Sequence, residues 1–245
     1  MMVEGFVVTL FGLLFGSFLN VLILRIPKEE SIVFPGSHCP KCNNQLKWWH
    51  NIPVFSWLLL RGKCHFCGEK ISIQYPLVEI ITALIFAVVY WKLQNIPYAL
   101  IVGLVFALLF GLSVIDFRYK AVPDSLNLSA LTLAIFASTD VLANFVNALL
   151  FAGGFSLLRF YVSYFAKKEA LGEADIMIAA TIGAMVGLKL GAVAIFLSAI
   201  IALPVFMIIR EKDFEVPYIP FLAMALFIVY MADGFFEEVL VRLYG

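Results

Sequence analysis

Two aspartates stand at the edges of long apolar runs. Asp116 closes PYALIVGLVFALLFGLSVID, and Asp175 lies at the head of GEADIMIAATIGAMVG. A carboxylate at the centre of a membrane helix costs about 2.5–3.5 kcal/mol on insertion scales, so such groups face a bundle interior or a watery cavity. Two of them on different helices make a candidate acid/base pair. Four cysteines form a second constellation. Cys39 and Cys42 make one C-x2-C turn, and Cys64 and Cys67 make another after 21 intervening residues. Four thiolates at about 2.3 Å suit tetrahedral zinc, and a complete set of four leaves no open position, so the zinc would be structural. The alternative is a pair of disulfides, which a reducing compartment disfavours.

The elements that must carry these groups follow from composition. The chain is 63% hydrophobic and 14% charged, with a mean hydropathy of +0.99. No ordinary soluble domain has that balance. An all-α polytopic membrane protein is expected. The formal net charge of +0 gives no reason to expect nucleic acid as a partner. The opening MMVEGFVV has no basic stretch before its apolar run and carries Glu4, so the first span is expected to persist rather than be cleaved as a signal. Eight transmembrane helices are read, at 3–25, 76–91, 97–117, 122–139, 141–165, 174–188, 190–209 and 216–236. The organisation expected is a first transmembrane helix (1–25), a cytoplasmic tetracysteine zinc domain (26–75) and a seven-helix membrane domain (76–245) carrying both aspartates.

Lys and Arg set the orientation. They gather in the loop after the first span (Arg25, Lys28, Lys41, Lys47, Arg61, Lys63, Lys70) and at Arg118, Lys120, Lys167, Lys168, Arg210 and Lys212. The opposite side holds only Lys92, Lys189 and Arg242. The positive-inside rule puts the crowded side in the cytoplasm. Asp116 and Asp175 then share the cytoplasmic ends of their spans. Each has a plainer reading when taken alone. Asp116 could pair with Arg118 or Lys120, and Asp175 could be an ordinary anion in a first helical turn, where the dipole favours it. Asp124 reads as a cap. Gly172 offers backbone freedom before the helix. Together, at matched depth, the aspartates fit two-carboxylate hydrolysis, in which one group activates water and the other, protonated, hydrogen-bonds the scissile carbonyl. His38, His50 and His65 read as solvated or packing residues. The apolar stretch WWHNIPVFSWLLL would fill a small core or meet the membrane interface. Glu29, Glu30, Glu69, Glu79, Glu169 and Glu173 could attract a basic segment, or could simply balance the nearby cations.

These features together resemble the type IV prepilin peptidase family, the leader peptidases of type IV pilus and type II secretion systems. The resemblance rests on GSFLNVLILRIP, CPKC…CHFC, YPLVEIITA, IDFRYKAVPD and LGEAD, and it covers nearly the whole chain. It implies a bacterial inner-membrane aspartic endopeptidase of the GxGD type. Such an enzyme cuts the basic leader of prepilins or pseudopilins after a glycine at the cytoplasmic face. Many members also N-methylate the new N-terminus with S-adenosylmethionine. The family's catalytic aspartates fall on Asp116 and Asp175, and its tetracysteine motif falls on Cys39, Cys42, Cys64 and Cys67. The GxGD motif reads Gly172-Glu173-Ala174-Asp175 here, with Ala in place of the second Gly. No glycine-rich nucleotide loop is visible, so the S-adenosylmethionine site has no assigned residues. The rivals are a peptidase that does not methylate and a small transporter with intramembrane carboxylates. The grouping of both acids at one face argues against the transporter.

Overall fold

The computed structural model describes residues 2–167, 172–208 and 217–244. Lys168, Glu169, Arg210 and Lys212 lie outside the described residues. Nine α-helices appear among the described residues: α1 Met2–Arg25, α2 Phe55–Leu59, α3 Gln74–Leu93, α4 Ile96–Tyr119, α5 Asp124–Ile135, α6 Val141–Ala166, α7 Glu173–Ile208, α8 Ile219–Met231 and α9 Asp233–Tyr244. Lipid cannot satisfy backbone polar groups, so a chain this apolar closes its hydrogen bonds within helices. α1, α3, α4, α6 and α7 are each long and apolar enough to cross a membrane.

The chain divides into two compact units, Met1–Gly103 and Leu104–Gly245. The first pairs α1 with α3, and the loop between them carries the cysteines. The second is organised around α7, which packs on α5, α6 and α8. Small residues permit the closeness. A Cβ on Gly183 of α7 would stand 2.7 Å from the Asn147 carbonyl of α6.

Four of the expected spans differ in detail. α7 runs for 36 residues, about 54 Å at 1.5 Å per residue, well beyond a hydrocarbon core of about 30 Å. Gly187 breaks it with φ 72° and ψ −175°, a conformation open to glycine and strained for other residues. The expected pair 174–188 and 190–209 therefore meets at Gly187. α5 is 12 residues long, shorter than the expected 122–139. Its end is tied off because Asn144 Nδ2 donates to the Ile135 carbonyl at 3.0 Å and to Ser138 Oγ at 2.9 Å. The expected 216–236 helix is bent by 84° between α8 and α9. The bend falls where the apolar run meets Asp233, Glu237, Glu238 and Arg242, which α9 keeps out of a straight apolar span.

Candidate active site and metal centre

The cysteine loop folds as two knuckles with one plan. In the first, Cys39 N–H donates to the Asn44 carbonyl (3.1 Å), Asn43 N–H to Cys39 (2.9 Å) and Leu46 N–H to Ser37 (2.8 Å). In the second, Cys64 N–H donates to Glu69 (2.7 Å), Gly68 N–H to Cys64 (3.0 Å) and Ile71 N–H to Gly62 (2.8 Å). Each contact in one knuckle has its counterpart at the same offset in the other. Isolated β-bridges His38–Gln45 and Lys63–Lys70 close the two turns. The left-handed residue that each turn needs is Asn43 (φ 55°) and Gly68 (φ 71°), residue types that tolerate it.

The four sulfurs lie within 4.8 Å of one another, and no disulfide joins them. Cys39 and Cys67 sulfurs are 3.8 Å apart. Four ligands at about 2.3 Å in a tetrahedron have edges of about 3.8 Å, so the donor set fits zinc. Backbone N–H groups of the knuckle, Cys42 first, draw the Cys39 thiol down to about 7. Glu69 N–H pulls Cys67 the same way, but burial and its three sibling thiols push it up to about 12. Metal-free, the cluster holds its first negative charge easily and its last with difficulty, as like charges at one site must. Lys41 and Glu69 form an ion pair across the two knuckles. The histidines stand outside the donor set. His50 and His65 rings lie 4.9 Å apart beside Phe66, and His38 Nδ1 meets the Gly36 carbonyl at 3.0 Å.

The aspartates belong to the second unit. Asp116, on the last turn of α4, is 8% exposed, and its Oδ2 accepts the Ile219 N–H at 3.3 Å. Ile219 is the first residue of α8, so an otherwise unpaired N-terminal amide and the positive end of a helix dipole face the carboxylate. Asp175 is half-buried in the first turn of α7, and its Oδ2 accepts the Gly172 N–H at 3.1 Å. This is the reach-back half of a capping box, from the third helical residue to the cap. Each aspartate is thus held through one oxygen by one helix-start amide, and each keeps its other oxygen. The pair is near enough for their charges to act on each other.

The surroundings refine several expectations. Gly172 eases the close approach, since a Cβ there would lie 3.3 Å from Asp175 Oδ2 and the carboxylate would have to shift by a few tenths of an ångström. Ala174 is helical, and its carbonyl accepts Asn127 Nδ2 at 3.1 Å, so its place needs no glycine. Asp124 is the first residue of α5, with Pro123 as the cap and no side-chain cap bond. Arg118 and Lys120 are exposed while Asp116 is buried. Glu173 pairs with Arg159 at 3.1 Å, and Glu69 is taken by Lys41. Glu79 is not a surface acid at all, being 6% exposed. Sequence reasoning passed over Asn127 and Asn20, which are 0% and 1% exposed. A polar side chain within an apolar helix was the available signal.

The fold and site define a multi-pass helical membrane protein with a paired-aspartate centre and a four-thiol cluster. Comparison with known proteins narrows that class. Residues 10–93 match the Bacterial Peptidase A24 N-terminal domain, and residues 103–207 match the Type IV leader peptidase family. A relative from Xanthomonas campestris pv. campestris, named prepilin leader peptidase/N-methyltransferase, is 32% identical and aligns over 91% of each chain. One of the same name from Neisseria gonorrhoeae is 34% identical over 91% of this chain and 88% of its own. Another from Myxococcus xanthus is 40% identical over 71% of this chain and 53% of its own. No solved structure matches. The chain belongs to the type IV leader peptidase family.

Proposed function

We propose that this protein is a membrane aspartic endopeptidase that removes the basic leader of type IV prepilins or pseudopilins and then N-methylates the new N-terminus. The observation that carries the reading is the matched anchoring of Asp116 and Asp175. One backbone N–H at a helix start holds each, and each keeps an oxygen for chemistry. One carboxylate takes a proton from water as that water attacks the carbonyl carbon after the glycine. The other, protonated, donates to the carbonyl oxygen. Collapse of the tetrahedral intermediate breaks the C–N bond, and the amine leaves with a proton.

Several finer features belong to the same reading. Eight membrane crossings follow if α7 counts as two helices divided at Gly187 and α5 and α8 each count as one. Cys39, Cys42, Cys64 and Cys67 would hold one structural zinc that fastens the 26–75 domain, which is too small to support itself on core packing. S-adenosylmethionine would supply the methyl group. The basic loops support an inner-membrane protein with the dyad at its cytoplasmic face, where leader and apolar pilin helix divide. The test is reconstitution in lipid with a prepilin and S-adenosylmethionine, following leader removal and N-terminal mass. Asp116→Asn and Asp175→Asn should each abolish cleavage while the helical content stays unchanged. Cleavage that survives either substitution would sink the dyad.

A further inference from the structure

The relatives' names combine two activities, and the aspartates account for one. Both lie within the match at 103–207. The match at 10–93 contains a buried acid of its own. Glu79 sits on α3 with 6% of its surface exposed. Its Oε2 accepts the Val54 N–H at 2.7 Å, and the Ser17 hydroxyl of α1 is a second donor. No Lys, Arg or His among the described residues forms an ion pair with it. α1 and α3 meet here almost backbone to backbone, since a Cβ on Gly16 would stand 2.8 Å from Glu79 Cα.

One turn along α1, Asn20 Nδ2 donates to the carbonyls of Gly16 (3.3 Å) and Tyr75 (3.1 Å). Those bonds fix the amide's orientation. They leave Asn20 Oδ1 buried with no donor, a costly arrangement unless something supplies one. The covering loop is strained at the same place. Val54 has φ 61° and ψ −50°, and Phe55 N–H reaches the Pro53 carbonyl at 2.6 Å. That is a γ-turn of the rare positive-φ kind, centred on a β-branched residue for which positive φ is a genuine outlier. Strain of this sort persists where surroundings over-determine it, and it clusters at binding sites and switches.

A carboxylate without a counter-ion, held by a strained turn, a hydroxyl and an unpaired amide oxygen one turn further along α1 therefore share the α1–α3 seam. The set is rich in acceptors and has no counter-ion. It has the polarity of a site for a cationic donor. We propose that Glu79, Ser17 and Asn20 receive the primary ammonium exposed by leader removal, and that Glu79 takes its proton during N-methylation. This rests on the peptidase–methyltransferase reading above. An ammonium offers three N–H donors and replaces the Val54 N–H on Glu79, letting the turn relax. Loss of one proton to Glu79 frees the amine lone pair. The N–CH3 bond forms as the S–CH3 bond of a sulfonium donor breaks, and the sulfur leaves as a neutral thioether. Charge balances, and nothing is oxidised.

The test uses the full chain in lipid with a prepilin and S-adenosylmethionine. Glu79→Gln keeps an acceptor for Val54 N–H but cannot take a proton. Its cleavage should stay within about twofold of wild type, while N-methylation falls at least about a hundredfold. Glu79→Asp should restore part of the methylation. Binding gives a second readout. Wild type should prefer a product peptide with a free N-terminus over its N-acetylated form by about tenfold or more, and Glu79→Gln should lose that preference. Hydrogen exchange at the Val54 amide should quicken when the free-amine peptide binds. Unchanged methylation in Glu79→Gln would overturn the proposal. Equal losses of cleavage and methylation would also overturn it, since they mean a structural role or recognition of leader lysines. A wild-type chain that cleaves without methylating would refute the underlying reading instead, and would show it before any variant is compared.

Discussion

In the cysteine loop, each knuckle completes its hydrogen bonds within a few residues of its own C-x2-C, and the same contacts recur at the same offsets in both. Asp116 and Asp175 lie 59 positions apart, and the amide on Asp116 comes from Ile219, farther still along the chain. The knuckles are small, loop-built and poor in core, so the hydrogen bonds of each C-x2-C turn dictate the local fold. At the aspartates the helices come first, and their ends happen to leave amides where a carboxylate can use them. The first arrangement should fail as a domain when a ligand is lost. The second should fail as chemistry with its fold intact.

The largest effect expected is at the dyad. Asp116→Asn or Asp175→Asn should reduce leader cleavage by at least about a thousandfold, the range for losing a positioned acid or base. Thermal unfolding should barely move, because an amide oxygen still accepts from Ile219 or Gly172. A large fall in melting temperature would mean that the carboxylates are structural, and the contrast between the two regions would collapse.

Next comes the metal. Cys39→Ser or Cys64→Ser should release the zinc and open the 26–75 domain to protease. Structural zinc contributes about 10–16 kcal/mol in comparable small folds. The membrane helices should stay protected. Because metal must displace the Cys67 proton, held up to about 12 without metal, affinity should rise as pH rises through neutrality. Titration calorimetry in buffers of different ionisation enthalpy reads that proton release directly.

This comparison also explains what the sequence disclosed. The cysteine cluster was legible because spacing alone builds a knuckle. That the aspartates could meet was suggested by charge placement, which orients helices, and their charges do act on each other. The anchor of Asp116 was not legible, since nothing local links it to Ile219, whereas that of Asp175 is local, three residues back at Gly172. The length of α7 was likewise hidden, because a single glycine at φ 72° turns one apolar run into two arms. The burial of Glu79 was not legible, because period and composition do not say which face of α3 meets α1.

Smaller effects sharpen the dyad side. Gly172→Ala places a methyl 3.3 Å from Asp175 Oδ2, tight enough to tilt the carboxylate away from its amide. Misplacements well short of that of a deleted group still cost about 10- to 100-fold in rate. Cleavage should fall in that range, with KM for the prepilin nearly unchanged. A fall in KM-dependent binding alone would mean that Gly172 touches substrate rather than Asp175.

Ala174→Gly should do least, and its smallness is informative. The substitution restores the glycine expected from the GxGD pattern, so a reading from pattern alone expects a gain in activity. The structure argues otherwise. Ala174 lies in the first turn of α7 with helical backbone, and its carbonyl, not its side chain, meets Asn127. Glycine there loosens a helix start by about 1 kcal/mol at most and adds no contact to Asp175. Cleavage should stay within about threefold of wild type, with a slight fall in thermal stability. A tenfold or greater gain would show that the methyl of Ala174 obstructs the substrate strand. The aspartate site would then be limited by access rather than by the anchoring of its two carboxylates.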